Sequence, residues 1–214
     1  MVAYLSAGRA PDAIGILQRV LNDRTAALGS DHPETLRAHA GLAAALLSAG
    51  QLSDAVQIYE RILAEREQAL GATHPDTMTA RAGLAYAYRS ADRLKRALPV
   101  YERTLADREK VLGADHLDTL TSLANLASAY HSAGRLPQAI ALQEQTLQNY
   151  ERLLGPDHTS TLTSRANLAS AYHTVGRRAE AAALFERTLA DCERLLPADH
   201  PMTRTIRENL SAAS

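Results

Sequence analysis

Several things are scarce in this chain, and each scarcity narrows what it can be. There is one cysteine, Cys192, which excludes a disulfide within the chain and a cysteine-based zinc site. A reducing, cytoplasmic setting fits that usage. Charge of one sign is lacking too. The formal net charge is −1, so no strong positive excess is available to hold phosphate, which argues against a nucleic-acid partner. The N-terminal segment MVAYLSAGRAPDA has no apolar run long enough for a signal peptide, and nothing later approaches the roughly 18 apolar residues of a membrane span. Aromatic bulk is thin: one Phe, 8 Tyr and no Trp, within a hydrophobic share of 46% that is largely alanine. That composition suits slender helices packed closely rather than one large core. Lysine is nearly absent, only Lys95 and Lys110 against many arginines, and with so much alanine this fits a GC-rich genome. No Gly-rich phosphate loop, nucleophile elbow or paired-carboxylate constellation is present, so the sequence offers no catalytic residue, no cofactor site and no metal site.

What the chain does have is a period. His32, His74, His116, His158 and His200 stand 42 residues apart, as do Thr35, Thr77, Thr119, Thr161 and Thr203. Gly8, Gly50, Gly134 and Gly176 keep the same step, with Asp92 where that series lapses, and so do Gly29, Gly71, Gly113 and Gly155, with Pro197 at the lapse. Such periodicity marks an array in which each unit packs on its neighbours and no central core is needed. The units fall at about 1–28 (partial), 29–70, 71–112, 113–154, 155–196 and 197–214 (partial, a capping helix), together one repeat domain over 1–214.

Each unit reads as two helices. The first, helix A, spans Thr35 to Ser48 in one copy and places Leu36, Ala40, Ala43 and Leu47 on one stripe; Leu120, Ala124, Ala127 and Tyr130 repeat it. It stops at Ser-Ala-Gly, where glycine accepts the left-handed conformation beyond a helix end. Helix B follows at about 53–70, 95–112, 137–154 and 179–196, with a small residue near its start (Ala55, Ala97, Ala139, Ala181). A ladder of Leu21, Leu63, Leu105, Leu147 and Leu189 runs through its middle, and burial of each is expected to contribute roughly 1.5 to 3 kcal/mol. Leu-Gly ends helix B, and an Asp-His-Pro-x-Thr connector opens the next A helix, with proline presetting φ. Five A and five B helices are expected, the first A helix cut. The register predicts that both ends are cut: Met1 aligns with Ala43 and Ala127 midway along helix A, and Ser214 aligns with Tyr172. The chain is therefore expected to be the C-terminal part of a longer protein. Its last helix, 202–214, carries Arg204, Arg207 and Glu208 in the manner of a cap.

The spacing Leu126-Ala127-x-x-Tyr130, then Ala139 and an aromatic position four later (Tyr59, Tyr101, Phe185, but Gln143), resembles the tetratricopeptide repeat signature. The 42-residue unit with His-Pro-x-Thr-Leu and Asn-Leu-Ala is similar to the kinesin light chain class of these repeats, and closer still to bacterial arrays that follow a signal-transduction ATPase module. The resemblance covers the whole chain. It implies an all-α, right-handed superhelical solenoid of about five antiparallel helix pairs that binds another protein or an extended peptide in a groove lined by the A helices. Departures are Gly41 and Gly83 in place of Asn125 and Asn167, Leu46 in place of the tyrosine, and Leu117 and Thr159 in place of the connector proline.

On that resemblance the candidate groove residues are Asn125, Asn167 and Asn209, with Thr121, Thr163, Ser128 and Ser170 around them. An asparagine at this position in similar repeats grips the backbone of a bound peptide, since an amide donates and accepts at once. The other reading is that these amides bond only to the neighbouring A helix. His131 and His173, near the A helix ends, face the groove either as solvated rings or as ligand contacts. Tyr86 and Arg89 offer an aromatic and a cationic contact in the repeat without the asparagine. The connector histidines, one interhelix distance of ~10 Å apart on successive repeats, cannot share a metal ion and are expected to cap the A helices. Cys192, whose copies are Arg66 and Arg108, is expected to be partly exposed and incidental. The function that follows is a protein- or peptide-binding scaffold rather than an enzyme. The alternative is a sensory or autoinhibitory repeat domain of a larger regulatory NTPase, whose groove binds a domain of its own chain.

Overall fold

The computed structural model describes residues 10–29, 32–197 and 199–213. Among these residues there are ten α-helices and no strand. The chain divides between Val111 and Leu112 into two compact units. Unit 1 holds α1 (Ala10–Leu28), α2 (Pro33–Ser48), α3 (Leu52–Leu70), α4 (Pro75–Ser90) and α5 (Leu94–Leu112), the last residue of α5 lying at the division. Unit 2 holds α6 (Leu117–Ser132), α7 (Leu136–Leu154), α8 (Thr159–Thr174), α9 (Arg178–Leu195) and α10 (Pro201–Ala213). The even-numbered helices are the A helices and the odd-numbered ones the B helices. The described A helices already number five, so the cut first A helix, which falls on residues 1–9 outside the described residues, would be a sixth and not one of the five expected.

The connector histidines act as expected. Nδ1 of His74, His116, His158 and His200 accepts a hydrogen bond from the backbone N–H two residues on, at 3.1 to 3.2 Å, and His32 does the same for Glu34. Each ring thereby satisfies one of the amide donors left over at a helix start. The A helices α2, α4, α6 and α8 end in a left-handed residue. Gly50, Gly134 and Gly176 have φ of 74°, 71° and 80°, and the next N–H closes back on the carbonyl five residues earlier. Where the glycine series lapses, Asp92 adopts the same conformation at φ 56°.

Burial follows the expected A-helix stripe only in part: Ala43, Leu120 and Ala127 are buried, but Leu36, Ala40, Leu47, Ala124 and Tyr130 are half-buried, and Ala38, Leu42, Ala45 and Leu46 share the inward face of α2 with Ala43. Met78, Leu120 and Leu162 share one register and are 0%, 1% and 0% exposed. The small B-helix residues Ala55, Ala97, Ala139 and Ala181 are fully buried, which lets neighbouring helices approach closely. The leucine ladder is a correction: Leu21 and Leu147 are buried, but Leu63, Leu105 and Leu189 are only half-buried. The preceding register (Ile62, Thr104, Thr146, Thr188) points inward instead, and the threonines satisfy their hydroxyls on the carbonyl four residues back. Cys192 is a second correction, because it is fully buried in the unit 2 core with Phe185, Leu168 and Ile206. Its copy Arg108 is itself only 4% exposed and reaches Thr79, so this register faces the A helix whatever residue occupies it.

Two buried arginines tie helices together. Arg81, 2% exposed, bonds Glu67 of α3 at 3.1 Å, the connector carbonyl of Ala72 at 2.8 Å, and Asp107 of α5. Arg165, fully buried, repeats this with Glu151 at 3.3 Å, Pro156 O at 3.4 Å and Asp191 at 2.7 Å. Tyr88 and Tyr172 donate their hydroxyls to Glu60 and Glu144 of the preceding B helices.

Candidate functional site

The candidate groove residues stand on the A helices at a spacing that puts them on one face. On α6 Thr121, Asn125, Ser128 and Ser132 lie four, three and four residues apart, and on α8 Thr163, Asn167, Ser170 and Thr174 repeat the pattern. No charged side chain interrupts either strip. Thr121 and Thr163 are exposed; Asn125, Asn167, Ser128 and Ser170 are half-buried, and so is Asn209 on α10.

The hydroxyls and the amides of this strip differ in what is left to them. Thr121 donates to Leu117 O at 2.8 Å, Ser128 to Ala124 O at 3.0 Å and Ser132 to Ser128 O at 3.1 Å. Thr163, Ser170 and Thr174 do likewise at 2.8, 3.0 and 2.9 Å. Their hydrogens are engaged within their own helices, and only oxygen lone pairs remain. Asn125 and Asn167 form no hydrogen bond to any described residue, so the reading in which they tie one A helix to the next finds no support in the geometry. Thr121 is also met from below by the hydroxyl of buried Tyr150, whose pKa is raised by burial and pulled back in part by that contact.

His131 and His173 close this strip at its C-terminal end. His131 Nε2 lies 3.2 Å from Thr174 Oγ1, and because Thr174 gives its own hydrogen to Ser170 O, the imidazole is the donor. His173 is half-buried, with Nδ1 enclosed and unpartnered among the described residues.

In unit 1 the corresponding face is different. Gly83 replaces the asparagine, and a Cβ there would collide with Cε1 of Tyr59. The ring of Tyr59 occupies that space, and with Ala44, Leu47, Ser48, Tyr86 and Ser90 it lines a cavity of about 290 Å³ between α2 and α4. Tyr86 is 44% exposed, and the Arg89 guanidinium lies 5.1 Å from its ring centroid. Burial raises the Tyr101 hydroxyl's pKa and the nearby Arg89 charge partly offsets it. The structure therefore brings Tyr86 and Arg89 together as a pair. Among the described residues no group of three or more His, Cys, Asp or Glu side chains is placed to hold a metal ion, and no helix is long and apolar enough to cross a membrane.

Sequence comparison matches the tetratricopeptide repeat family in four overlapping stretches, residues 2–64, 41–110, 87–152 and 125–194. The chain belongs to the tetratricopeptide repeat family. A candidate kinesin light chain of nearly identical TPR-like repeats from Podosopora anserina is similar to this tetratricopeptide array. It is 31% identical, with 90% of this chain and 91% of that one covered and a TM-score of 0.73. BtubC (BKLC) from P. vanneervenii shares the fold at 20% identity and a TM-score of 0.80, over 95% and 82% of the two chains. So does MamA from Desulfovibrio magneticus RS-1, at 19% identity and 0.59 over 92% of each. Comparison with curated proteins finds no match. Tetratricopeptide arrays are scaffolds, commonly for protein–protein interaction, and typically carry no catalytic machinery.

Sequence reasoning missed two features of this tetratricopeptide array. The buried arginine nodes were visible as Arg165 where the preceding copy has Leu123, with acids 14 residues before and 26 after. The second is Gln143, 5% exposed, whose Oε1 is buried and without a partner among the described residues. Its departure from the aromatic register was the signal.

Proposed function

We propose that unit 2 holds an extended peptide segment of a partner against α6 and α8, with the amides of Asn125 and Asn167 bonding its backbone and Asn209 extending the row on α10. The observation that carries this is the contrast within one strip: six hydroxyls engaged on their own helices, and two half-buried amides at the same repeat register bonded to nothing described. An amide pairs with a peptide unit through both its donor and its acceptor and reads no sequence in doing so. Thr121, Thr163, Ser128 and Ser170 are small and leave room for a backbone, and His131 and His173 bound the strip. In unit 1, Tyr86 and Arg89 supply contacts of another kind, to side chains. The partner is another protein, or another domain of a longer chain. The array acts as a scaffold without chemistry of its own.

The test is Asn125→Ala with Asn167→Ala, titrated against a partner identified by pull-down. Loss of two hydrogen bonds of about 0.5 to 1.5 kcal/mol each weakens binding roughly 5- to 150-fold. The melting temperature stays within a few degrees, because these amides support nothing else. Unchanged affinity together with a large drop in melting temperature makes them structural ties.

A further inference from the structure

His39 of α2 stands where α4 and α8 carry Arg81 and Arg165, and beside it lies a cavity of about 420 Å³ between α1, α2 and α3. His39 is at its floor, Gln18, Asn22 and Thr25 of α1 form one wall, and Arg61 and Glu65 of α3 form the other. The floor is 3% exposed, whereas Gln18, Asn22, Thr25 and Arg61 are exposed, so the cavity opens to solvent. Elsewhere in the array this place holds a guanidinium. Arg81 bonds Glu67 and Asp107, and Arg165 bonds Glu151 and Asp191. The counterparts of those acids here are Thr25 and Glu65. A second, outer arginine joins each node: Arg103 stands 3.8 Å from Asp107, and Arg187, at the same register, 3.5 Å from Glu151. Its counterpart Arg61 is in place, 3.6 Å from Glu65 and donating to His39 Nε2. Where Leu123 takes the inner register, the outer arginine and the acid are gone too, replaced by Gln145 and Asn149. Only at His39 do the acid and the outer arginine remain without the inner guanidinium.

We infer that this cavity binds a guanidinium, the side chain of an arginine on a partner protein, which completes from outside the node that Arg81 and Arg165 complete from within the chain. The site lies in unit 1, apart from the amide strip of α6 and α8, and stands or falls without it. Its walls suit a ligand that donates. Glu65 is a carboxylate, Thr25 has given its hydroxyl hydrogen to Leu21 O, and Asn22 offers Oδ1, which takes one hydrogen bond from Gln18. Asparagine is itself a departure at this register, which Ala64, Ala106 and Ala190 hold elsewhere. A guanidinium carries five N–H donors in one plane and no acceptor, enough to serve both walls at once, whereas an ammonium is a compact charge that holds its water more tightly. A carboxylate meets Glu65, and an aliphatic chain leaves the polar walls without partners. Arg61 does not bar a second cation, because Asp107 already carries two, from Arg81 and Arg103. Thr25 in place of Glu67 leaves one carboxylate where the filled node has two. A single arginine is therefore expected to bind with a dissociation constant on the order of 1 mM, the rest of the affinity coming from its neighbours in the partner.

The probes are N-acetyl-arginine N-methylamide and its lysine and citrulline counterparts, titrated into the whole chain and followed by NMR at the backbone amides of Thr25 and Ala26. Lysine keeps the charge and loses the planar fork; citrulline keeps the shape and loses the charge. The arginine probe is expected to shift these signals saturably, with the other two roughly tenfold weaker. His39→Arg places the chain's own guanidinium in the cavity, at a register that Arg81 and Arg165 show to accept it, so binding is expected to be lost while the fold persists. Glu65→Gln keeps the shape of the wall and is expected to weaken binding roughly tenfold. The absence of a saturable shift overturns the inference, as does equal binding of the lysine or citrulline probe, or binding that survives His39→Arg or is untouched by Glu65→Gln. Should His39→Arg not fold, Glu65→Gln decides alone. Free arginine binding roughly tenfold more tightly than the blocked form makes the ligand a small molecule and overturns its assignment to a partner protein.

Discussion

At the scale of single residues, the lapses in the period are where physical strain gathers. His39 takes the register that Arg81 and Arg165 fill elsewhere. It is 3% exposed and touched by the Arg61 guanidinium at Nε2, with Glu65 on the same helix and Gln18, Asn22 and Thr25 facing it from α1. Burial, then the Arg61 charge, lower its pKa to about 4. Between the ordinary value near 6.5 and about 4 the unfolded chain therefore binds a proton that the folded chain does not, so stability falls as pH drops through that window. The loss from this group is roughly 2 to 3 kcal/mol from about pH 7 to about pH 4. Urea unfolding of the wild type and of His39→Gln at both pH values checks it: the variant loses less by about that amount, and an identical loss in both refutes it. Asp92 is the second lapse. It holds φ 56° where its copies are glycine, a conformation that disfavours a side chain even for aspartate. Asp92→Gly is expected to stabilise by roughly 0.5 to 1 kcal/mol and Asp92→Ala to destabilise by a similar amount, read from denaturant midpoints.

At the scale of helices, the arginine nodes show how the array joins one B helix to the next through an A helix. Arg165 is fully buried, yet its acids are not: Asp191 and Glu151 keep 20% and 34% of their side-chain surface. Burial pushes the Asp191 carboxyl up, and hydrogen bonds from Arg165 and Arg194 more than offset that and hold it below its ordinary range. Removing the guanidinium therefore strands acids that water can still reach, and the larger cost is the emptied volume. Arg165→Ala is expected to lose about 3 kcal/mol, and Arg165→Leu less than half of that, since Leu123 fills this register in the preceding copy. Equal losses in chemical denaturation make the charges, not the volume, the dominant effect. Helix positions and caps were legible in the sequence because both rest on local chemistry repeated at a fixed step: histidine before the A helix, glycine after it. The inward register of the B helices was not. Leucine at 63 or 105 and isoleucine or threonine at 62 or 104 are adjacent, and which points inward depends on the helix facing it. Cys192 was misjudged on the same ground, because an arginine copy was read as exposed when its stem lies buried. The candidate strip was legible by resemblance, whereas the engagement of its hydroxyls depends on rotamers that no sequence pattern specifies.

At the scale of the molecule, an array without a central core responds to damage through its neighbours. Leu162 is fully buried and belongs to a unit 2 cluster that includes Leu147 of α7, Phe185 of α9 and Ile206 of α10. Four helices thus meet at one side chain's surroundings, and none of them can bury its apolar face alone. Leu162→Ala is expected to cost about 2 to 5 kcal/mol, as for a large-to-small change in a packed core. The cost falls on the coupling between helices as much as on α8 itself, so protection from hydrogen exchange should drop together in α7, α8, α9 and α10. Helices α1 to α3, which contribute no residue to this cluster, should change least. The measurement is amide exchange followed by mass spectrometry on both proteins, under conditions where both remain folded. Faster exchange confined to α8 contradicts nearest-neighbour coupling, because a helix that loosens alone was not sharing its burial. A uniform rise across all ten helices contradicts it in the other direction, since the chain would then open as a single cooperative body.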